Sequence, residues 1–193
     1  MGERIFIIDG HPDPEGARFV HALAAAAAAG ARAAGHEVRE LRLSELDFPL
    51  LRRNAQFYDG PVPATIAAQQ EQLRWASRWL ILFPLWMGDM PALLKGFLEQ
   101  ALRPGFAYAE GGRFPAGLLR GRRARVVVTM GMPAAAYRWF FRAHALKSLH
   151  RNILGLCGVT VAPAVLIGGL GALTPAQRER WLQRLQEVGA RGG

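Results

Sequence analysis

Apolar residues in this chain fall into two kinds of run. Short ones, Arg4-Ile-Phe-Ile-Ile-Asp9, Trp79-Leu-Ile-Leu-Phe83 and Ala124-Arg-Val-Val-Val-Thr129, read as strands, with Trp79–Phe83 buried on both faces at the centre of a parallel sheet. Glu37-Val-Arg-Glu-Leu-Arg-Leu43 alternates as a second strand should, and Thr160 to Ile167 supplies a fifth. Between them lie helical patterns. The first runs from about Ala17 to Ala34, rich in alanine and stopped by Gly35; the next runs from about Pro63 to Ser77. After Pro91, residues Leu93, Leu94, Phe97, Leu98, Ala101 and Leu102 recur at helical spacing until Pro104-Gly105. Two more helices are expected, from Tyr137 to Gly155 and after Thr174-Pro175, where Thr174 is a good N-cap. Residues 44–62 carry turn chemistry without periodicity, and Ala109 to Gly121 reads as a Gly-rich loop.

Strands and helices thus alternate five times, which is the pattern of an α/β, doubly wound, five-stranded parallel sheet in the flavodoxin-like order 2-1-3-4-5. The βαβ units imply right-handed crossovers. At 193 residues, 51% of them hydrophobic, residues 1–193 suit a single domain with a large core.

Composition narrows the compartment and the partners. Cys157 is the single cysteine, so no internal disulfide and no cysteine-based zinc cluster is expected; its apolar neighbours Ile153, Leu154 and Val159 favour a buried thiol. Met1-Gly-Glu-Arg4 leads directly into a strand, and no run approaches the length of a membrane span, so a soluble, cytoplasmic protein is expected. Net charge is +9, from 24 Lys+Arg against 15 Asp+Glu. Only Arg120-Gly-Arg-Arg-Ala-Arg125 forms a basic cluster, and it lacks interleaved aromatic residues. A nucleic-acid partner is therefore not expected, while a general attraction for anionic nucleotides is.

Open α/β sheets bind ligands outside the carboxyl ends of their strands, which directs attention to three loops. After the first strand comes Gly10-His-Pro-Asp-Pro-Glu-Gly16, where His11, Arg18 and the helix start at Gly16 to Phe19 could hold a phosphate, or His11 could cap a turn. After the third strand come Pro84, Leu85, Trp86, Met87 and Gly88, then Asp89 as a helix cap or a catalytic carboxylate. After the fourth come Met130 and Gly131. Gly168-Gly-Leu-Gly-Ala-Leu-Thr174 has Thr174 where a dinucleotide fingerprint needs glycine and no following strand, which favours a turn. No Walker lysine motif and no Gly-x-Ser-x-Gly elbow is present.

The wording of these loops resembles a family. Pro84-Leu-Trp86, Met90-Pro-Ala-Leu-Leu-Lys-Gly-Phe97 and Gly105-Phe-Ala-Tyr108 are similar to the flavin-binding block of the NAD(P)H:quinone oxidoreductases of flavodoxin-like fold, as are Gly10-His11-Pro12 and Phe19. The resemblance implies FAD, with FMN as the alternative. His11, Arg18 and Phe19 would lie at its phosphates, and Pro84 to Gly88 with Met130 and Gly131 would lie about the ring, their backbone N–H groups stabilising charge on the reduced form. Gly16 and Ala17 stand where the family commonly has a hydroxyl residue, and Met87-Gly88 where it often has a second aromatic. Tyr137 and His144, seven residues apart, match the family's tyrosine and histidine in order and would share a face of one helix as catalytic groups; a structural role is the other reading. The resemblance further implies NAD(P)H and a quinone as ping-pong substrates, and a homodimer burying some of Trp86, Phe106, Tyr108, Trp139, Phe140 and Phe141. The rival reading is a flavin- or nucleotide-binding regulatory subunit contacting a membrane transport protein, similar to the ancillary proteins of potassium-efflux systems.

Overall fold

The computed structural model describes residues 2–111 and 115–193. From the amino end its elements are β1 (Arg4–Asp9), α1 (Phe19–Ala33), β2 (Glu37–Arg42), α2 (Asn54–Tyr58), α3 (Ala64–Trp75), β3 (Arg78–Pro84) and α4 (Ala92–Ala101). The two-residue strands β4 (Tyr108–Ala109) and β5 (Ala116–Gly117) follow, then β6 (Arg123–Thr129). Next come α5 (His144–Lys147) between the π-helical segments Ala136–Phe140 and Ser148–Leu154, then β7 (Thr160–Val161), β8 (Val165–Ile167) and α6 (Pro175–Ala190).

The main sheet is parallel in the order β2-β1-β3-β6, with β7 and β8 both against β6, an order consistent with the expected one. The strand count differs from the expected five because Thr160 to Ile167 is split. Pro163 has no N–H to donate, and the chain leaves the ladder between Val161 and Val165. One sheet face packs Phe6, Ile8, Trp79, Ile81, Phe83, Val126 and Val128 against α3, α4 and the 137–159 region. The other packs Ile5, Ile7, Leu80, Leu82 and Val127 against α1 and α6. Period-two alternation thus buries both sides of β3, as a central parallel strand requires. Among the described residues no helix is long and apolar enough to cross a membrane.

Three further expectations need correction. The helix from Tyr137 to Gly155 is interrupted: Arg142 and Ala143 have φ of 53° and 47°, a left-handed turn that no continuous helix contains. Residues 44–62 hold the short α2. Part of Ala109 to Gly121 pairs antiparallel as β4 and β5, while residues 112–114 lie outside the described residues. Cys157 is buried, its Sγ donating to the Ile153 carbonyl, and burial pushes its thiol up to about 12.

The alanine run of α1 serves a packing purpose beyond helix propensity. Small residues let α1 and α6 approach backbone to backbone: a Cβ on Gly189 would lie 1.9 Å from the Ala27 carbonyl oxygen, and one on Gly30 would lie 2.0 Å from that of Gln186. Either contact would force the helices apart. Gly189→Ala should therefore lower stability by about 1–3 kcal/mol through overpacking, read as a lower urea midpoint at unchanged slope. A midpoint equal to that of the unaltered chain would show that the helices separate without cost.

Candidate functional site

Sheet register brings the three strand-end loops together. Asp9 at the end of β1 lies opposite Leu82, and Pro84 at the end of β3 lies opposite Thr129 at the end of β6. Gly10 N–H donates to the Leu82 carbonyl (2.7 Å), Leu85 N–H to that of Thr129 (2.7 Å) and Met130 N–H to that of Ile167 (2.8 Å). Each loop is thereby tied to the neighbouring strand. A Cβ at Gly10 would press on Leu94 at 2.9 Å and the Leu82 carbonyl at 3.0 Å, so glycine is required at this crossing.

In the first loop the Asp13 N–H donates to His11 Nδ1 (3.1 Å), which leaves Nε2 to carry the hydrogen of a neutral ring, with no partner among the described residues. Burial holds the His11 pKa below the ordinary histidine value, helped by neighbouring His21. Helix α1 starts at Phe19 rather than Ala17, with Arg18 at the N-cap and no side chain capping it. The N–H groups of Gly16 to Val20 accordingly have no partner among the described residues, which makes the helix start a ready anion site. Arg18 is placed differently from a phosphate ligand: its Nε donates to Asp13 Oδ2 (2.7 Å), and its guanidinium also pairs with Glu15 (3.4 Å).

Sequence reasoning missed one pair in this loop. His21, in the first turn of α1, bonds Asp9 Oδ2 through Nδ1, and its Nε2 lies 3.0 Å from the Asp13 carbonyl oxygen. The imidazole thereby ties the end of β1 to the phosphate loop. Asp9 also accepts from the His11 N–H at 3.1 Å. The available signal was a carboxylate ending a strand and a histidine opening the next helix.

The second loop is a tight hairpin turn. Trp86 and Asp89 exchange two backbone hydrogen bonds of 2.9 Å, with Met87 at φ 49° and Gly88 at φ 84° between them. Glycine adopts positive φ freely; methionine does so at a cost of about 1–2 kcal/mol. Met87 is fully exposed at the tip, and the Trp86 ring lies edge-on to His11 at 5.8 Å. Two expectations change here. The N–H groups of Leu85 and Trp86 are already used internally, which leaves those of Met87 and Gly88 without partners among the described residues. Asp89 does not cap α4, since its Oδ1 accepts from the adjacent Met90 N–H (2.7 Å) and Pro91 holds the N-cap position.

The third loop, residues 130–134, is held from behind by Gly168, where a Cβ would fall 2.2 Å from the Ala134 nitrogen. Gly131 faces open space. Tyr137 and His144 do not share a helix face, because the turn at Arg142 and Ala143 separates them. His144 is exposed, whereas Tyr137 is packed in the core cluster with Met90 and Met130. Burial raises the Tyr137 pKa, the Leu146 backbone opposes and the Asp89 charge adds to the rise. Thr129 Oγ1, at the end of β6, is buried without a partner among the described residues, and the buried Tyr137 Oη has at most a poorly aligned contact with the Leu146 backbone. Such poorly satisfied polar atoms around a loop cluster fit a ring bearing carbonyl and amide groups, and the open start of α1 fits its phosphate.

A buried histidine, His11, and a half-buried one, His150, make stability depend on pH. Burial lowers the pKa of both His11 and His150, and His150 Nε2 has no partner among the described residues. Below the ordinary value of 6.5 the unfolded chain takes up protons that the folded chain resists, so stability is full above that value and falls as pH drops through it. The lowered pKa values of Glu3 and Asp13, from their hydrogen bonds to Ser77 and to the Glu15 backbone, add a second loss at lower pH. The urea midpoint should be lower at pH 5.5 than at pH 7.5, and a His11→Gln, His150→Gln double variant should lose most of that drop. An undiminished drop would assign the titration to other groups.

Comparison with known proteins agrees with this geometry. The family model described as flavodoxin-like fold matches residues 3–189. NAD(P)H dehydrogenase [quinone] 1 of Rattus norvegicus is 28% identical over 199 residues, covering 88% of this chain and 72% of that protein. Other curated relatives are matched over 48–62% of their own length. Among solved structures, the NAD(P)H:quinone oxidoreductase of Methanothermobacter marburgensis superposes with a TM-score of 0.80 at 23% identity over 100% of both chains. An FMN-dependent NADH-azoreductase of Bacillus anthracis in complex with FMN gives 0.72 at 16% identity, covering 97% of this chain and 98% of that one. At these identities the two structures speak for the fold. The family-model match, carried by nearly the whole chain, establishes that the chain belongs to the flavodoxin-like fold family, and the rat relative agrees with the resemblance to NAD(P)H:quinone oxidoreductases.

Proposed function

We propose that the protein is a flavin-dependent oxidoreductase that passes hydride from NAD(P)H to a quinone or similar small acceptor, with donor and acceptor using one crevice in turn. The observation that carries this reading is the convergence, at adjacent strand ends, of an uncapped helix start, a free His11 Nε2–H and an exposed apolar turn at Trp86 and Met87. A bound flavin would supply the chemistry of accepting and releasing hydride. The chain's own residues bind and orient. N–H groups of Gly16 to Phe19, with His11, hold the phosphate, and Pro84 to Gly88 with Met130 and Gly131 flank the ring. Arg18 braces the phosphate loop through Asp13. Tyr137 positions the 130–134 loop from beneath, its N–H donating to the Pro133 carbonyl (3.2 Å).

FMN, the flavin bound in the B. anthracis azoreductase, and FAD, the form first expected from the resemblance, present the same phosphate next to the ribityl chain. Titration of the purified chain with each, followed by flavin fluorescence, decides between them. Binding of at least one below about millimolar affinity, and quinone-dependent NAD(P)H oxidation, are the expected results. Flavin binding without turnover would favour a regulatory subunit. Tyr137→Phe should retain flavin and slow turnover by about 10²-fold if the hydroxyl assists proton movement. His144→Gln should leave turnover nearly unchanged, and an equal loss in it would return the imidazole to the reacting centre.

The exposed aromatic residues point to a two-fold dimer. Tyr108 is in the core and Phe106 is half-buried beneath Arg74, so neither is available. Trp86, Trp139, Phe140 and Phe141 remain, from 49% to 81% exposed, with the last two rings edge-on at 5.0 Å. A surface of this kind on two copies would close the crevice from above. Sedimentation should give a dimer, and Phe140→Glu with Phe141→Glu should give a folded monomer with impaired turnover. A unaltered chain that is monomeric at full activity would sink the idea.

A further inference from the structure

Where β7 gives way to β8, a groove of about 450 Å³ opens between β6, residues 134–139 and α6. Arg125 stands at the break. It pairs with Leu80 of β3 on one side, but on the other the ladder stops at Ala124–Val161 and resumes at Val127–Val165. By strand alternation its side chain belongs to the face that otherwise carries Leu80, Leu82, Val127 and Val165. Its Nε is buried without a partner among the described residues, a cost that packing alone does not explain.

Arg138 and Arg184 line the same groove, and neither they nor Arg125 form an ion pair among the described residues. A cavity that shares Trp181 and Arg184 adds Arg180. Among the described residues no carboxylate lines either space. Glu187, on the same helix, is engaged by Arg191. Several guanidinium groups around one opening repel one another, and a polyanion would relieve that repulsion while satisfying the buried Nε. Planar guanidinium forks match phosphate oxygens two at a time. Trp139, also on the wall, is 77% exposed, whereas the Trp181 ring is partly covered by Arg184 at 5.0 Å. The volume suits a mononucleotide.

We propose that this groove binds a nucleoside phosphate, with the phosphate among Arg125, Arg138 and Arg184 and the base against the indole of Trp139. These residues are distinct from those assigned to the flavin crevice, so the site stands or falls independently of that reading. ADP titrated calorimetrically into the full chain, with and without excess FMN, should bind at one site saturating well below 1 mM in both cases. Arg125→Gln, Arg138→Gln and Arg184→Gln should each weaken it about tenfold or more, the loss of one charge-assisted hydrogen bond. Trp139→Ala should weaken ADP while leaving inorganic pyrophosphate unchanged. Arg138 and Arg184 are exposed, so their variants remain informative if Arg125→Gln fails to fold. No saturation by 1 mM, or binding indifferent to all three arginines or abolished by FMN, would overturn the site. Equal affinity for ADP and pyrophosphate, unaffected by Trp139→Ala, would overturn the nucleotide assignment.

Discussion

Everything at the crevice depends on the ladder that joins β3 to β1 and β6. Because β3 is apolar on both faces, it can sit only at the centre, and its register with its neighbours is fixed by two buried layers at once. A slip of one residue would turn Trp79, Ile81 and Phe83 into the α1 side, where the packing is built for alanine and glycine. The positions of Asp9, Pro84 and Thr129 follow from that register, so a hydrophobic constraint places the polar groups of the site.

The electrostatics of the first loop are less simple than its motif suggests. Asp9, Asp13 and Glu15 place three carboxylates close to the helix start that would hold a phosphate. Each has a partner: Asp9 takes His21 and the His11 N–H, and Asp13 and Glu15 share Arg18. The carboxylates thus shape the loop while their charge is compensated locally. The unpaired N–H groups of the helix start then set the field that an incoming anion meets.

Much of this architecture was legible in the sequence, because it rests on periodicity and punctuation. Trp79–Phe83, the alternation of β2, the alanine helix and the stop at Pro104-Gly105 each carry a local signal that tertiary packing reinforces. What was not legible has non-local causes. The reversal at Arg142 and Ala143 uses residues with no turn preference, and its left-handed backbone is sustained by packing around Tyr137, so a heptad count to His144 could not anticipate it. The pairing of Asp9 with His21 joins two elements through space. The Trp86–Asp89 turn shows Gly88 at a position the sequence explains and Met87 at one it does not.

The break at Pro163 reaches beyond the groove it opens. A parallel sheet has two free edges, each a template for an extra strand from another molecule. At one edge β2 presents Glu37, Arg39, Glu40 and Arg42, charged and mostly exposed. At the other, β7 and β8 offer only two and three residues on either side of a proline that cannot donate. Neither border can be extended cheaply by a foreign strand. A chain that is 51% hydrophobic, with an apolar sheet centre, is thus protected against edge-to-edge polymerisation, and self-association is left to side chains elsewhere on the surface.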